Sequence, residues 1–214
     1  MIREISDGAY DEQALPAYTN PNRLMRAVFW ARVRSISGLL NRQPKVDLAL
    51  DFGAGLGLMI PLLADRAREI VAVEIEPSKL EKGLEELGIS RDHLRIERTL
   101  ADAGAGLAGR VALILAMDVL EHVEDLDGTL RDLRRTITPD GRLLVSGPTE
   151  NVLYRLGRRM AGYSGHYHRR GMKDIERALR RDFRVVRRRV ILPLAPLFVI
   201  LEARPREREN RRLS

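Results

Sequence analysis

The sequence predicts one α/β domain: a doubly wound, mostly parallel seven-stranded sheet with helices on both faces and an antiparallel edge strand. Three observations carry this expectation. Short apolar runs alternate with helix-spaced segments from Val46 to Pro148, the pattern of βαβ units with right-handed crossovers. Two more apolar runs follow a helix near the C-terminus and are spaced to pair antiparallel at the sheet edge. A length of 214 residues, 44% apolar and 31% charged, suits a single packed core.

The elements follow in order. Residues 1–20 lack periodicity and read as an irregular arm. Leu24, Met25, Val28, Phe29, Ile36, Leu39 and Leu40 recur at helical spacing, with Asn20-Pro21 as the start and Pro44 as the stop. Arg23, Arg26, Arg32, Arg34 and Arg42 make this helix basic and amphipathic, suited to packing on a sheet or to lying on a membrane surface. "VDLALDF" is a short buried strand, and "GLMIPLLADRA" a helix that tolerates Pro61 only in its first turn. "EIVAVEI" is the second strand, and "PSKLEKGLEELG" a helix ended by Gly88. "LRIERTL" is the third strand and "VALILAMDVL" the fourth. "LDGTLRDLRRTI" is a helix, and "TPDGRLLVSGP" a turn leading into the fifth strand.

After Pro148 the alternation breaks. Residues 149–172 form a polar insertion containing Gly and Tyr, and "MKDIERALRRD" is a helix. "FRVVRRRVILP" and "PLFVILEAR" are the last two strands. The domain plan is therefore an arm and helix (1–44), a core (45–148), the insertion (149–172), a helix with edge strands (173–204) and a frayed tail (205–214).

Composition removes several function classes. There is no Cys, so disulfides, thiolate zinc sites and cysteine nucleophiles are excluded, and no convincing metal-ligand spacing occurs. "MIREISDGAY" has no apolar signal region, and "VILPLAPLFVIL" falls short of the ~20 apolar residues a spanning helix needs. A cytoplasmic bacterial protein is the expectation. The net charge of +7 is uneven: residues 1–150 carry 19 basic and 24 acidic side chains, and residues 151–214 carry 18 and 6. The basic third could attract an anionic substrate, nucleic acid or acidic membrane. With only four Lys among 37 basic residues, it also reads as the coding bias of a GC-rich genome.

Chemistry concentrates in "LALDFGAGLG". Gly53, Gly55 and Gly57 occupy the first strand-to-helix turn, where glycine permits positive φ and close ligand approach. The spacing is G-x-G-x-G with Leu58 following, so it matches neither the dinucleotide fingerprint nor the phosphate loop. Glu74, at the end of the second strand, is placed to accept hydrogen bonds from both hydroxyls of a ribose. A ligand with a ribose and no demand for phosphate binding is favoured.

"VDLALDFGAGLG", "VAVEIEPSKL", "MDVLEHVED" and "TPDGRLLVSGP", in this order, closely resemble the class I S-adenosylmethionine-dependent methyltransferases. The resemblance covers residues 45–148 and implies a Rossmann-like methyltransferase fold that binds S-adenosyl-L-methionine. The cofactor positions it implies are Asp51, Gly53, Ala54, Gly55, Gly57, Glu74, Ile75, Asp102, Ala103, Met117, Asp118, Val119 and His122. By this likeness the glycine turn passes under the amino-acid part of the cofactor, and Glu74 holds the ribose. Asp102 lies near the adenine, and Met117-Asp118-Val119 lines the pocket. Ala54 stands where many members carry Cys.

The acceptor site of such enzymes is commonly built after the fifth strand. Thr149, Glu150, Asn151, Tyr154, Arg158, Tyr163 and Tyr167 are the substrate candidates there, and Arg155, Arg159, Arg169 and Arg170 add positive charge for a phosphate or carboxylate. His166 and His168 are candidate bases, since imidazole titrates near pH 6.5, and each could equally be an ordinary loop histidine. His93 reads as a surface residue. The expected partner is a small-molecule methyl acceptor, methylated at oxygen, anionic or a sugar- or lipid-linked metabolite. An RNA acceptor, a non-catalytic S-adenosylmethionine binder and an NAD-dependent oxidoreductase are the competing readings. Nucleic acid is disfavoured, peripheral membrane contact stays open, and monomer and homodimer both fit.

Overall fold

In the computed structural model, which describes residues 23–149, 170–191 and 197–207, the chain begins with α1 (Arg23–Leu40). It continues through β1 (Val46–Phe52), α2 (Ile60–Ala64), β2 (Ala67–Val73), α3 (Pro77–Glu86) and β3 (Leu94–Glu97). Then come α4 (Leu100–Ala103), β4 (Val111–Met117), α5 (Leu126–Thr136), β5 (Ile137–Pro148), α6 (Met172–Asp182), β6 (Phe183–Ile191) and β7 (Phe198–Pro205).

The seven strands form one sheet in the order β3-β2-β1-β4-β5-β7-β6. The first five are parallel, and the order reverses between β1 and β4, whose carboxyl ends therefore flank a crevice. β7 runs antiparallel to both β5 and β6. The expected antiparallel pair is present, and its antiparallel member lies one position in from the edge. Side-chain chemistry decides this order. β7 is apolar and buried along most of its length, whereas β6 carries Arg184, Arg187, Arg188 and Arg189 and can only be a rim strand.

Period-two alternation splits the core between the two faces. Leu50, Val71 and Ile114 point to one face, where Leu130 and Leu133 of α5 and Ile175 and Leu179 of α6 cover them. Ala49, Ile70 and Leu113 point to the other, under Leu39 of α1, Leu63 of α2, and Leu80 and Leu84 of α3. Each such leucine, isoleucine or valine, fully buried, contributes about 1.5–3 kcal/mol.

Three local expectations change. The helix expected over 57–67 shrinks to α2, because the Arg66 carbonyl accepts the Val46 amide at 2.8 Å and the chain is already entering β2. The strand expected over 94–100 stops at Glu97, and Thr99 then caps α4 by accepting the Asp102 amide at 3.1 Å. The turn at Thr138–Gly141 is absorbed into β5 as an irregularity: Val111 pairs with Ile137, but Leu113 pairs with Arg142. Among the described residues no helix is long and apolar enough to cross a membrane.

Candidate active site

The glycine turn leaves β1 pinned to β2, with the amides of Gly53 and Ala54 donating to the Val73 carbonyl at 2.8 and 3.2 Å. Gly53, Gly55 and Gly57 all have positive φ, of 77°, 57° and 81°. They are needed for different reasons. A Cβ on Gly53 would lie 2.4 Å from the Val119 side chain, and one on Gly57 would lie 2.5 Å from Leu84. A Cβ on Gly55 would meet nothing within 4 Å. Of the three, Gly55 alone has open space beside its backbone. Gly53 and Gly57 clear room for the protein's own packing.

Glu74 follows β2 and turns back onto this loop. Its carboxylate accepts the Gly55 amide at 2.8 Å and the Glu76 amide at 3.3 Å. Ile75 beside it is 69% exposed, a large apolar side chain turned to solvent. Below the turn Asp51 is buried, and its Oδ2 has no hydrogen-bond partner. Burial pushes the Asp51 carboxyl up to about 7, and the negative charge of Glu74 adds to the shift. Two carboxyl groups, an open backbone at Gly55 and an apolar platform suit a cationic ligand with hydroxyls and a flat apolar part.

The carboxyl end of β4 forms the opposite wall. Asp118 has φ 55°, a left-handed conformation that costs a non-glycine residue roughly 1–2 kcal/mol. Its amide donates to the Ser146 carbonyl at 2.9 Å, and its Oδ1 accepts the Ser146 hydroxyl at 3.1 Å. Its other oxygen is ion-paired with Arg32, a residue of α1 that is only 3% exposed. The Arg32 guanidinium lies 4.8 Å from the centre of the Phe198 ring and 5.6 Å from that of Phe29, and these two rings meet edge to face at 5.3 Å. Sequence reasoning counted Arg32 among the basic residues of an amphipathic helix and gave it no part in the site. It overlooked Ser146 and the aromatic pair as well. A signal for Arg32 existed: Val28, Arg32 and Ile36 share one helical stripe whose other members are buried.

The remaining expected residues are distributed as follows. Met117 is buried at the end of β4, and Ala54 packs at the edge of the core. Ala103 is buried in the core, and its amide donates to Thr99. The Asp102 carboxylate accepts the Thr99 hydroxyl at 2.7 Å. His122 is exposed on the loop after β4, its amide donating to Val119 at 3.0 Å, and His93 is exposed before β3. The Thr149 hydroxyl and amide both reach the Leu197 carbonyl, at 3.3 and 3.0 Å. Arg170, expected to bind an acceptor anion, donates to the Val123 and Glu124 carbonyls at 2.6 and 2.8 Å and so ties the end of the insertion to the β4–α5 loop. Glu150, Asn151, Tyr154, Arg158, Tyr163, His166, Tyr167 and His168 lie outside the described residues, as do Arg155, Arg159 and Arg169.

The chain is similar to known proteins. A family model described as a methyltransferase domain matches residues 23–186. Over 100 residues the chain is 32% identical to the ubiquinone biosynthesis O-methyltransferase of Methylocella silvestris, a match covering 45% of this chain and 38% of that protein. The similarity thus spans well under half of that relative's length. The fold resembles the crystal structure of the PH0226 protein of Pyrococcus horikoshii with a TM-score of 0.68 at 17% identity, covering 89% of this chain and 96% of that one. It also resembles magnesium protoporphyrin IX methyltransferase of Synechocystis, crystallised with bound SAH, with a TM-score of 0.62 at 22% identity over 92% and 90% of the two chains.

Proposed function

The chain belongs to the methyltransferase-domain family, among the class I S-adenosylmethionine-dependent methyltransferases, and from that premise we propose that it moves the methyl of S-adenosylmethionine to the hydroxyl of a small molecule. The observation that carries this reading is the Glu74 carboxylate set against the open backbone of Gly55 at the point where the strand order reverses. When bound, S-adenosylmethionine supplies a methyl already made electrophilic by its sulfonium. The protein's task is alignment, and positioning supplies roughly 7–11 kcal/mol of such a barrier.

Each residue then has a part. Glu74 accepts the ribose hydroxyls, and Gly55 leaves room for the methionyl end. Ile75 offers apolar surface to the adenine, whose edge falls to Asp102 and Ala103. Asp51 places negative charge beneath a cationic ligand. Met117, Asp118, Val119 and His122 form the wall toward the acceptor. Thr149 begins the acceptor segment, in which Glu150, Asn151, Tyr154, Arg158, Tyr163 and Tyr167 line the acceptor and His166 or His168 takes the hydroxyl proton. A base in that position is worth about 10² to 10⁴ in rate.

Oxygen as the target is supported by the name of the Methylocella relative. A small acceptor is supported over RNA in that several arginines of the C-terminal elements are engaged within the domain. Arg177 pairs with Asp174, Arg180 and Arg188 with Glu176, Arg181 with Asp127, and Arg187 with Glu202. The test is incubation with methyl-labelled S-adenosylmethionine and, separately, a panel of phenols and sugars and total RNA. Label in the small-molecule fraction is expected, and label confined to RNA would overturn the acceptor assignment.

A further inference from the structure

We propose that Arg32 is a positioning residue that sets the geometry of the cofactor turn through Asp118. This rests on the methyl-transfer reading for its purpose, and on the structure alone for its mechanics.

The mechanical chain is short and contiguous. Arg32 projects from α1 into the sheet and ion-pairs with Asp118 at the carboxyl end of β4. Asp118 is held from the other side by the Ser146 hydroxyl and carbonyl of β5. The next residue, Val119, packs so closely on Gly53 that a single added methyl there would collide. Gly53 opens the turn that ends with the Gly55 amide on Glu74. Arg32 therefore pins the β4 end, and the β4 end pins the turn.

Stability alone does not account for this arginine. A buried ion pair is often matched or bettered by apolar residues of similar volume, because desolvation offsets the attraction. Here the flanking members of the stripe, Val28 and Ile36, are apolar, and Phe29 and Phe198 would accommodate a methionine in place of the guanidinium. A guanidinium set over the Phe198 ring and aimed at the second carboxylate oxygen adds to the Ser146 contacts a directional restraint on left-handed Asp118 that a methionine would not supply.

The test uses the full chain as Arg32→Met, Arg32→Lys, Asp118→Asn and the Arg32→Met/Asp118→Asn pair. Amide exchange is measured without ligand, and S-adenosylhomocysteine affinity by calorimetry. In Arg32→Met, exchange over residues 53–57 is expected to quicken roughly tenfold while α5 and α6 keep wild-type rates. Affinity for S-adenosylhomocysteine is expected to fall by roughly the same factor, with Arg32→Lys intermediate. In the Asp118→Asn background, Arg32→Met should add little, since both act through one contact. Exchange that rises uniformly, or a turn that exchanges at the wild-type rate in both Arg32 variants, overturns the proposal. Additive losses in the double variant overturn it too. If wild type does not bind S-adenosylhomocysteine, the methyl-transfer reading fails, and the exchange result still decides the role of Arg32.

Discussion

The Gly55 amide donates a 2.8 Å hydrogen bond to the Glu74 carboxylate, joining the first strand-to-helix turn to the end of the second strand. The bond holds the turn and the strand end together by the protein's own contacts. On the proposed reading it sets where a ribose hydroxyl would come.

Glu74→Ala removes that acceptor. Hydrogen bonds to charged groups are worth about 1.5–3 kcal/mol each, so S-adenosylhomocysteine should bind about tenfold to a hundredfold more weakly. The melting temperature of the ligand-free protein should also fall, because the Gly55 and Glu76 amides lose their acceptor. Calorimetry and thermal melting on one preparation check both halves.

The three glycines should separate when each is changed to Ala. Gly55→Ala pays the left-handed backbone cost of roughly 1–2 kcal/mol and obstructs the ligand, so affinity falls more than stability. Gly53→Ala pays the same cost and also collides with Val119, for a loss of about 3 kcal/mol. Gly57→Ala behaves likewise against Leu84. Denaturant melts beside ligand titrations separate the two classes.

Asp51 makes stability fall as pH rises. Its carboxyl moves from 3.8 to about 7 on folding, so between those values the native state holds a proton that the unfolded chain releases. The contribution is complete below 3.8 and lost as pH passes about 7, a total of roughly 4 kcal/mol. Asp51→Asn should flatten this part of the stability profile, read by denaturation at intervals across it. A cationic ligand favours the ionised carboxylate, so wild-type affinity for S-adenosylmethionine, with its sulfonium, should tighten toward neutral pH, and Asp51→Asn should lose that dependence.

Far from the site, Glu202 is 4% exposed and accepts from Arg142 at 2.5 Å and Gln43 at 3.2 Å, with Arg187 at 3.3 Å. Arg142→Ala should cost about 3–5 kcal/mol by leaving that buried charge undercompensated. Urea melts should show the loss with S-adenosylhomocysteine affinity unchanged.

Much of the fold was legible because the parallel strands are buried on both faces. Such strands read as continuous apolar runs, as in "VALILAM", and the intervening helices carry clear apolar stripes. The glycine turn was legible because positive φ restricts residue type. The short α4 was lost because four residues hold no helical period; only its cap, Thr99 with Asp102, marks it. The role of Arg32 was not legible because a count of basic residues carries no information on burial. Its partner Asp118 is distant in the chain and is brought near only by the packing of α1 across the sheet. The reason for Gly53 was hidden likewise, since it depends on Val119 arriving from β4.

The most direct test is a calorimetric titration of the wild-type protein with S-adenosylhomocysteine and, in parallel, with NAD. Saturable one-to-one binding of S-adenosylhomocysteine and no heat from NAD is the expected result. A folded protein that gives no heat with S-adenosylhomocysteine, or that prefers NAD, would contradict methyl transfer from this site.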